Sequence, residues 1–179
     1  YKNFRTEEKK ITESGFYKDD KKSGEWILFS HGNEVQQRLL YKNGKKNGKC
    51  FFYTSWLGTK RELIRVSHNF PHLNEFFNHE EINIMKIIRF YIYEGLIRDT
   101  KLTIDFKDDL IHGLFTMDVT DRKGKEGTIY EFNFKNGKKH GLSTCFHVGN
   151  FKKDREYHCR NGKLHGKYYD YLESSVIES

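Results

Sequence analysis

Cys145 and His147, with His158 and Cys159 shortly after, supply the residue types of a zinc site. No second pair has the usual ligand spacing, and Cys159 occupies a place that related stretches fill with Tyr or Phe, so side-chain packing explains it better. His112, His140 and His165 each stand one residue before a glycine. Stacked side by side they could form a metal-binding column. Ser23 and Asn47 hold the same place elsewhere, so a polar turn residue accounts for all five. His68, His72, His79, Glu80 and Glu81 lack the His-Glu-x-x-His order of a helix-borne metal site and read as a surface loop. Gly44-Lys45-Lys46-Asn47-Gly48-Lys49 and Gly162-Lys163-Leu164-His165-Gly166-Lys167 resemble a phosphate-binding loop. That loop needs four residues between its glycines, Ser or Thr after Lys, and a following helix. Here three intervene, then Cys50 or Tyr168, then an extended run. Asp105, Asp108, Asp109, Asp118 and Asp121 suggest paired carboxylates for acid–base work, but they lie where turns ordinarily use Asp. No catalytic, cofactor-binding or metal-binding residue is therefore assigned, and no cofactor is expected.

The remaining chemistry is basic. Lys42, Lys45, Lys46 and Lys49 stand beside Phe51 and Tyr53; Lys135, Lys138 and Lys139 stand beside Phe134; Lys163 belongs to a third such stretch. Exposed rings with lysines can stack bases and neutralise phosphates. The competing reading makes the rings core and the lysines solubilising groups at turns and edges. The net charge of +7 permits nucleic acid or acidic lipid as partner without requiring either.

These lysines are positioned by a repeat. Tyr41-Lys42-Asn43-Gly44-Lys45-Lys46-Asn47-Gly48 recurs as Phe134-Lys135-Asn136-Gly137-Lys138-Lys139-His140-Gly141 and as Cys159-Arg160-Asn161-Gly162-Lys163-Leu164-His165-Gly166. Weaker copies run from Tyr17 to Gly24 and from Phe106 to Gly113. The final glycine of each copy serves as an anchor: Gly24, Gly48, Gly113, Gly141 and Gly166, spaced 24, 65, 28 and 25 residues apart. A period near 25 means stacked supersecondary units. Each reads as a hairpin. Asn-Gly (Gly44, Gly137, Gly162) supplies the positive φ of a two-residue turn, and Asp19-Asp20 and Asp108-Asp109 tolerate it less well. The positions seven and nine before the anchor are apolar in four units of five, which puts one face of a strand inside. Five after it come Phe29, Tyr53, Asp118, Phe146 and Tyr171, predicting a second aromatic column. Phe29-Ser30-His31-Gly32-Asn33 and Phe146-His147-Val148-Gly149-Asn150 join successive units, and Tyr93-Glu94-Gly95 is expected to do the same.

The expected fold is all-β: an elongated, twisted, single-layer antiparallel meander of stacked hairpins of about 24–28 residues, forming one domain over 1–179. The pattern is clear from Tyr17 to Val66, lapses over 69–81 as an insert or eroded repeat, and returns at Phe90. Strand alternation is favoured over helical spacing for 82–93. Residues 1–12 read as an exposed lead-in and 173–179 as a disordered tail. Hydrophobic residues make up 36% against a usual share of about half, while aromatics reach 16%, which suits a thin structure without a deep centre. Three cysteines, Cys50, Cys145 and Cys159, are too few for a disulfide framework and point to a reducing, cytoplasmic-type compartment. No apolar run approaches the about 20 residues of a membrane span. The chain starts at Tyr1 rather than Met, so residues before it are left open.

The Tyr-Lys-Asn-Gly-Lys-x-x-Gly-x-x-x-x-[Phe/Tyr] signature resembles the MORN repeat, in the variant form of bacterial antitoxin-like proteins and of multicopy proteins of giant DNA viruses. The likeness covers about three quarters of the chain; the Tyr17 and Phe106 units lack the first Gly. It implies a non-enzymatic scaffold that contacts protein or lipid, as part of an oligomer or larger complex such as a virion or a toxin-bound state. Nucleic-acid or acidic-lipid binding through the lysine-rich turns is the alternative.

Overall fold

Among the described residues, alternating apolar residues between glycine turns build eleven strands, all in one open antiparallel sheet. The computed structural model describes residues 10–30, 33–55 and 96–171. The strands are β1 (Glu13–Lys18), β2 (Lys21–Phe29), β3 (Val35–Lys42), β4 (Lys45–Lys46), β5 (Gly48–Ser55), β6 (Ile97–Lys107), β7 (Leu110–Asp121), β8 (Glu126–Lys135), β9 (Lys138–Phe146), β10 (Lys153–Arg160) and β11 (Lys163–Asp170). Neighbours in sequence are neighbours in the sheet throughout, β4 being a short start to the β5 side of its hairpin. The described residues contain no helix.

Each hairpin turns on two residues with positive φ: Asp19-Asp20, Asn43-Gly44, Asp108-Asp109, Asn136-Gly137 and Asn161-Gly162. Only that turn handedness follows the twist of the flanking strands. The anchor glycines also have positive φ, from 71° at Gly24 to 103° at Gly113. In the Phe106 hairpin Phe106 pairs with Ile111 but Ile104 pairs with Phe115, so extra residues are taken up around Gly113. A Cβ on Gly113 would press on Asp105 and one on Gly48 on Leu40, and the positive φ common to all five anchors favours glycine there.

The two-residue turn sets which residues face inward. It places the residue seven before the anchor opposite the one two before it, as in Phe106 with Ile111 and Phe134 with Lys139. Counting on by twos along the second strand gives the positions two and four after the anchor. These carry the core: Trp26, Cys50, Phe115 and Ser143 at the first, and Phe52, Met117 and Cys145 at the second, are buried. They pack with Leu39, Ile104, Phe132 and Tyr157 of the following unit. The Phe115 and Phe132 rings stack at 5.8 Å, and Tyr17, Trp26 and Tyr41 meet edge to face.

The predicted second column is therefore displaced. Five after the anchor is an odd step, which points away from the core; Phe29, Tyr53, Asp118 and Phe146 are half-buried and Tyr171 is exposed. Gly15, an exception to the apolar pair, lies beneath the Trp26 ring, where a Cβ would collide with it.

All four contacts between units share one register. The residue two after an anchor faces the residue nine before the next: Trp26 with Leu39, Cys50 with Ile104, Phe115 with Phe132, Ser143 with Tyr157. The same carbonyl is used each time at the turn edge. Lys22, Lys46, Ile111 and Lys139 accept the backbone N–H of Gly44, Asp109, Gly137 and Gly162 at 2.8–3.0 Å. The contact between β5 and β6 obeys this rule although 41 residues, 56–96, separate the two strands in sequence. The long spacing between the Gly48 and Gly113 anchors therefore leaves the register of this contact unchanged. The described pairing runs to Ser55 and starts again at Ile97; the expectations of a clear pattern on to Val66 and of its return at Phe90 fall outside the described residues. The expectations for 69–81, for strand over 82–93, for Tyr93-Glu94-Gly95, for residues 1–9 and for the tail lie outside the described residues.

Candidate functional site

Because every unit begins with the same turn, all five turns come to one end of the sheet. The cross-strand pair nearest each turn is Lys18–Lys21, Lys42–Lys45, Lys107–Leu110, Lys135–Lys138 and Arg160–Lys163. All ten residues are exposed, and by strand alternation they stand on the face opposite the core. Four of the five rungs are doubly cationic. Like charges directly opposite one another destabilise a sheet, so the arrangement costs the fold something at each turn.

The lysines singled out from sequence divide between two faces. Lys42, Lys45, Lys135, Lys138 and Lys163 are exposed rim residues. Lys46 and Lys139 are half-buried on the core face, where Lys46 Nζ lies 5.6 Å from the centre of the Phe106 ring and Lys139 Nζ 4.2 Å from that of Phe132. Lys139 also donates to the Tyr157 hydroxyl at 3.2 Å. These two stretch their aliphatic stems over core rings and do not form part of the outer surface. Lys49 is exposed beyond the rim and pairs in register with Asp105. Sequence reading missed Lys18, Lys21, Lys107 and Arg160. They hold the same repeat positions in the units with degenerate turns or a Cys at the Tyr place, and aligning on the anchor glycine finds them.

Between the second and third turns lies a shallow groove of about 740 Å³, lined by Lys42, Lys45, Lys107, His112, Asn47 and Asp105 among others. Asn47 donates to Asp108 Oδ1 at 3.2 Å and the Lys46 N–H to Asp109 Oδ1 at 2.7 Å, fastening the two turns to one another. One unit on, His112 Nδ1 lies 3.2 Å from Asn136 Oδ1. His140 takes that place in the next unit, its Nδ1 buried without a hydrogen bond. The residue before the anchor glycine thus joins neighbouring units at Asn47 and at His112. With two strands per unit, these histidines stand ~10 Å apart, too far to share a metal ion.

The other clusters are dispersed. Cys145 and Cys159 are buried and point to the core, whereas His158 is exposed on the opposite face and His147 is exposed in a connection. Among the described residues no group of three or more His, Cys, Asp or Glu is arranged to hold a metal ion. Burial pushes the Cys50 thiol up, which keeps it protonated and unreactive. Asp118 accepts from Thr128 Oγ1 at 2.6 Å, a cross-strand structural bond. None of the three cysteines forms a disulfide. No helix among the described residues is long and apolar enough to cross a membrane.

The two ends of the sheet form a second candidate surface. Every residue of β1 and of β11 is exposed. Both carry large apolar groups: Phe16 and Tyr17 on β1, and Leu164, Tyr168 and Tyr169 on β11. No protein-family model and no curated protein matches the chain.

Proposed function

We propose that the protein is a non-enzymatic scaffold that makes protein–protein contacts within a larger assembly, by adding strands to the two open edges of its sheet. One observation carries this reading: four successive unit-to-unit contacts use one register. β11 is the second strand of a unit and β1 the first strand of one. A second copy's β1 laid against β11 would continue the series, with Tyr168 facing Gly15 and Tyr169 facing Ser14. Such a contact is head-to-tail and does not close, so it builds a filament or a row of copies. Glu13 would then face Asp170, but Glu13 is already held by Lys22 at 3.2 Å in its own chain. Exposed edge strands pair readily with other chains unless they are covered, and aromatic side chains on both edges strengthen cross-strand contact. The resemblance to MORN repeats adds the kinds of assembly expected, a virion component or a toxin-bound complex. The three buried thiols support a reducing compartment.

Light scattering over a concentration series tests the reading. The wild-type chain is expected to grow in mass with concentration. The double variant Ser14→Lys/Tyr169→Lys sets like charges opposite one another at exposed positions and is expected to remain monomeric. A wild-type chain that stays a monomer throughout the series contradicts the proposal.

A further inference from the structure

We infer that the rim of doubly cationic rungs on the outer face of the turn edge binds single-stranded nucleic acid along its phosphate backbone. Three features of the rim point to that ligand. First, none of its nine cations is held in an ion pair among the described residues. Eight of them face solvent in four like-charged pairs, an arrangement an anion relieves, and the ninth, Lys107, faces Leu110. Second, units lie two strands apart, so rungs follow one another every ~10 Å, four of the five with two cations and the Lys107 rung with one. This is about one charge per ~5 Å, near the spacing of phosphates in a strand extended from its ~3.4 Å stacked rise. Third, rings flank the terminal rungs on the same face. Phe16, 79% exposed, stands two residues from Lys18, and exposed His158 stands two from Arg160, each placed to stack a base.

Geometry separates this ligand from an acidic membrane. Neighbouring strands in a sheet rotate by ~20–25°, so successive rungs rotate by ~40–50° and the rim winds around the long axis of the sheet. A flat bilayer meets about two adjacent rungs at a time, whereas a flexible strand follows all of them. The shallow groove between the second and third turns, with Lys42, Lys45 and Lys107 around it, offers a seat along that path. Asp105 and Asp108 also line it, so the phosphate contact there belongs to the lysines and the Asn47 and His112 side chains.

Fluorescence anisotropy with a labelled 30-nucleotide oligothymidylate, at ~50 to 200 mM salt, reads this directly. Binding is expected to weaken steeply with salt. With four to eight phosphates neutralised, the slope of log K against log salt is about −3 to −6. Lys45→Glu/Lys138→Glu should weaken binding at least tenfold and flatten that slope. Lys123→Glu/Lys152→Glu makes the same charge change in exposed connections at the opposite end of the sheet and should leave binding within about twofold. Equal loss in both variants, no binding at 50 mM salt, or tighter binding to phosphatidylserine vesicles than to the oligonucleotide overturns the inference. The terminal rungs lie on β1 and β11, but the Ser14→Lys/Tyr169→Lys chain keeps all nine rim cations and should still bind. Loss of assembly without loss of binding separates this inference from the scaffold reading.

Discussion

The middle of the sheet and its ends are built from the same repeat, yet they are different environments. Position two after the anchor is Phe115 in the middle, wholly buried, and Tyr168 at the end, half exposed. Phe115 has Phe132 and Phe134 of the next unit against it; Tyr168 stacks on Tyr157 of its own unit. A unit therefore does not bury its apolar face by itself. Its neighbours do so, and in the last described hairpin Tyr168 remains half exposed.

The largest expected effect lies in that pair. Phe115→Ala should cost about 3–5 kcal/mol by urea unfolding, and Tyr168→Ala less than about 1 kcal/mol. Comparable losses would mean that the end is already covered and would break the contrast. Glycines under rings sharpen it. Gly127 lies beneath Phe151 near the middle and Gly15 beneath Trp26 near one end. Each change to Ala should cost about 1–3 kcal/mol through displacement of the ring. A silent Gly15→Ala would show that Trp26 does not cap the first unit as tightly as the core packs.

Adjacent lysines give a smaller contrast, between faces rather than regions. Lys139→Ala removes the bond to Tyr157 and the ammonium over Phe132 and should lower stability by about 1 kcal/mol. Lys138→Ala, at the exposed rim, should change it by no more than about 0.5 kcal/mol. The smallest effect concerns the two Asp-Asp turns. Asp20→Gly relieves a left-handed residue and should raise stability by about 0.5 kcal/mol. Asp109→Gly loses the bond from the Lys46 N–H along with the strain, so thermal unfolding should show no gain.

Much of this was legible in the residues. The turns were, because Asn43-Gly44, Asn136-Gly137 and Asn161-Gly162 have one backbone solution in a hairpin. The all-β meander followed from their period. The inward faces were only half read. Tyr41 and Leu39 identify the core side of the first strand, but tracing the core across the turn means counting from residue pairs, which selects Trp26 and Leu28 rather than Phe29. For the same reason Lys45 and Lys46 looked alike in sequence and part company in the fold. The pairing of β5 with β6 across 41 intervening residues was not legible, because composition does not reveal which strand pairs with β6. The open edges depend on what lies beside β1 and β11, which a pattern within the chain does not encode.

The shared register is the claim on which the scaffold reading rests, and a disulfide tests it most directly. Position three after an anchor faces position ten before the next at every contact: Ile27 with Arg38, Phe51 with Thr103, Thr116 with Glu131, Thr144 with Glu156. Between copies the corresponding pair is Tyr169 and Ser14, and facing strand residues lie within disulfide reach. The full chain carrying Ser14→Cys and Tyr169→Cys should give, on mild oxidation, a ladder of covalent oligomers on a non-reducing gel. A chain that stays a single band under those conditions contradicts the account.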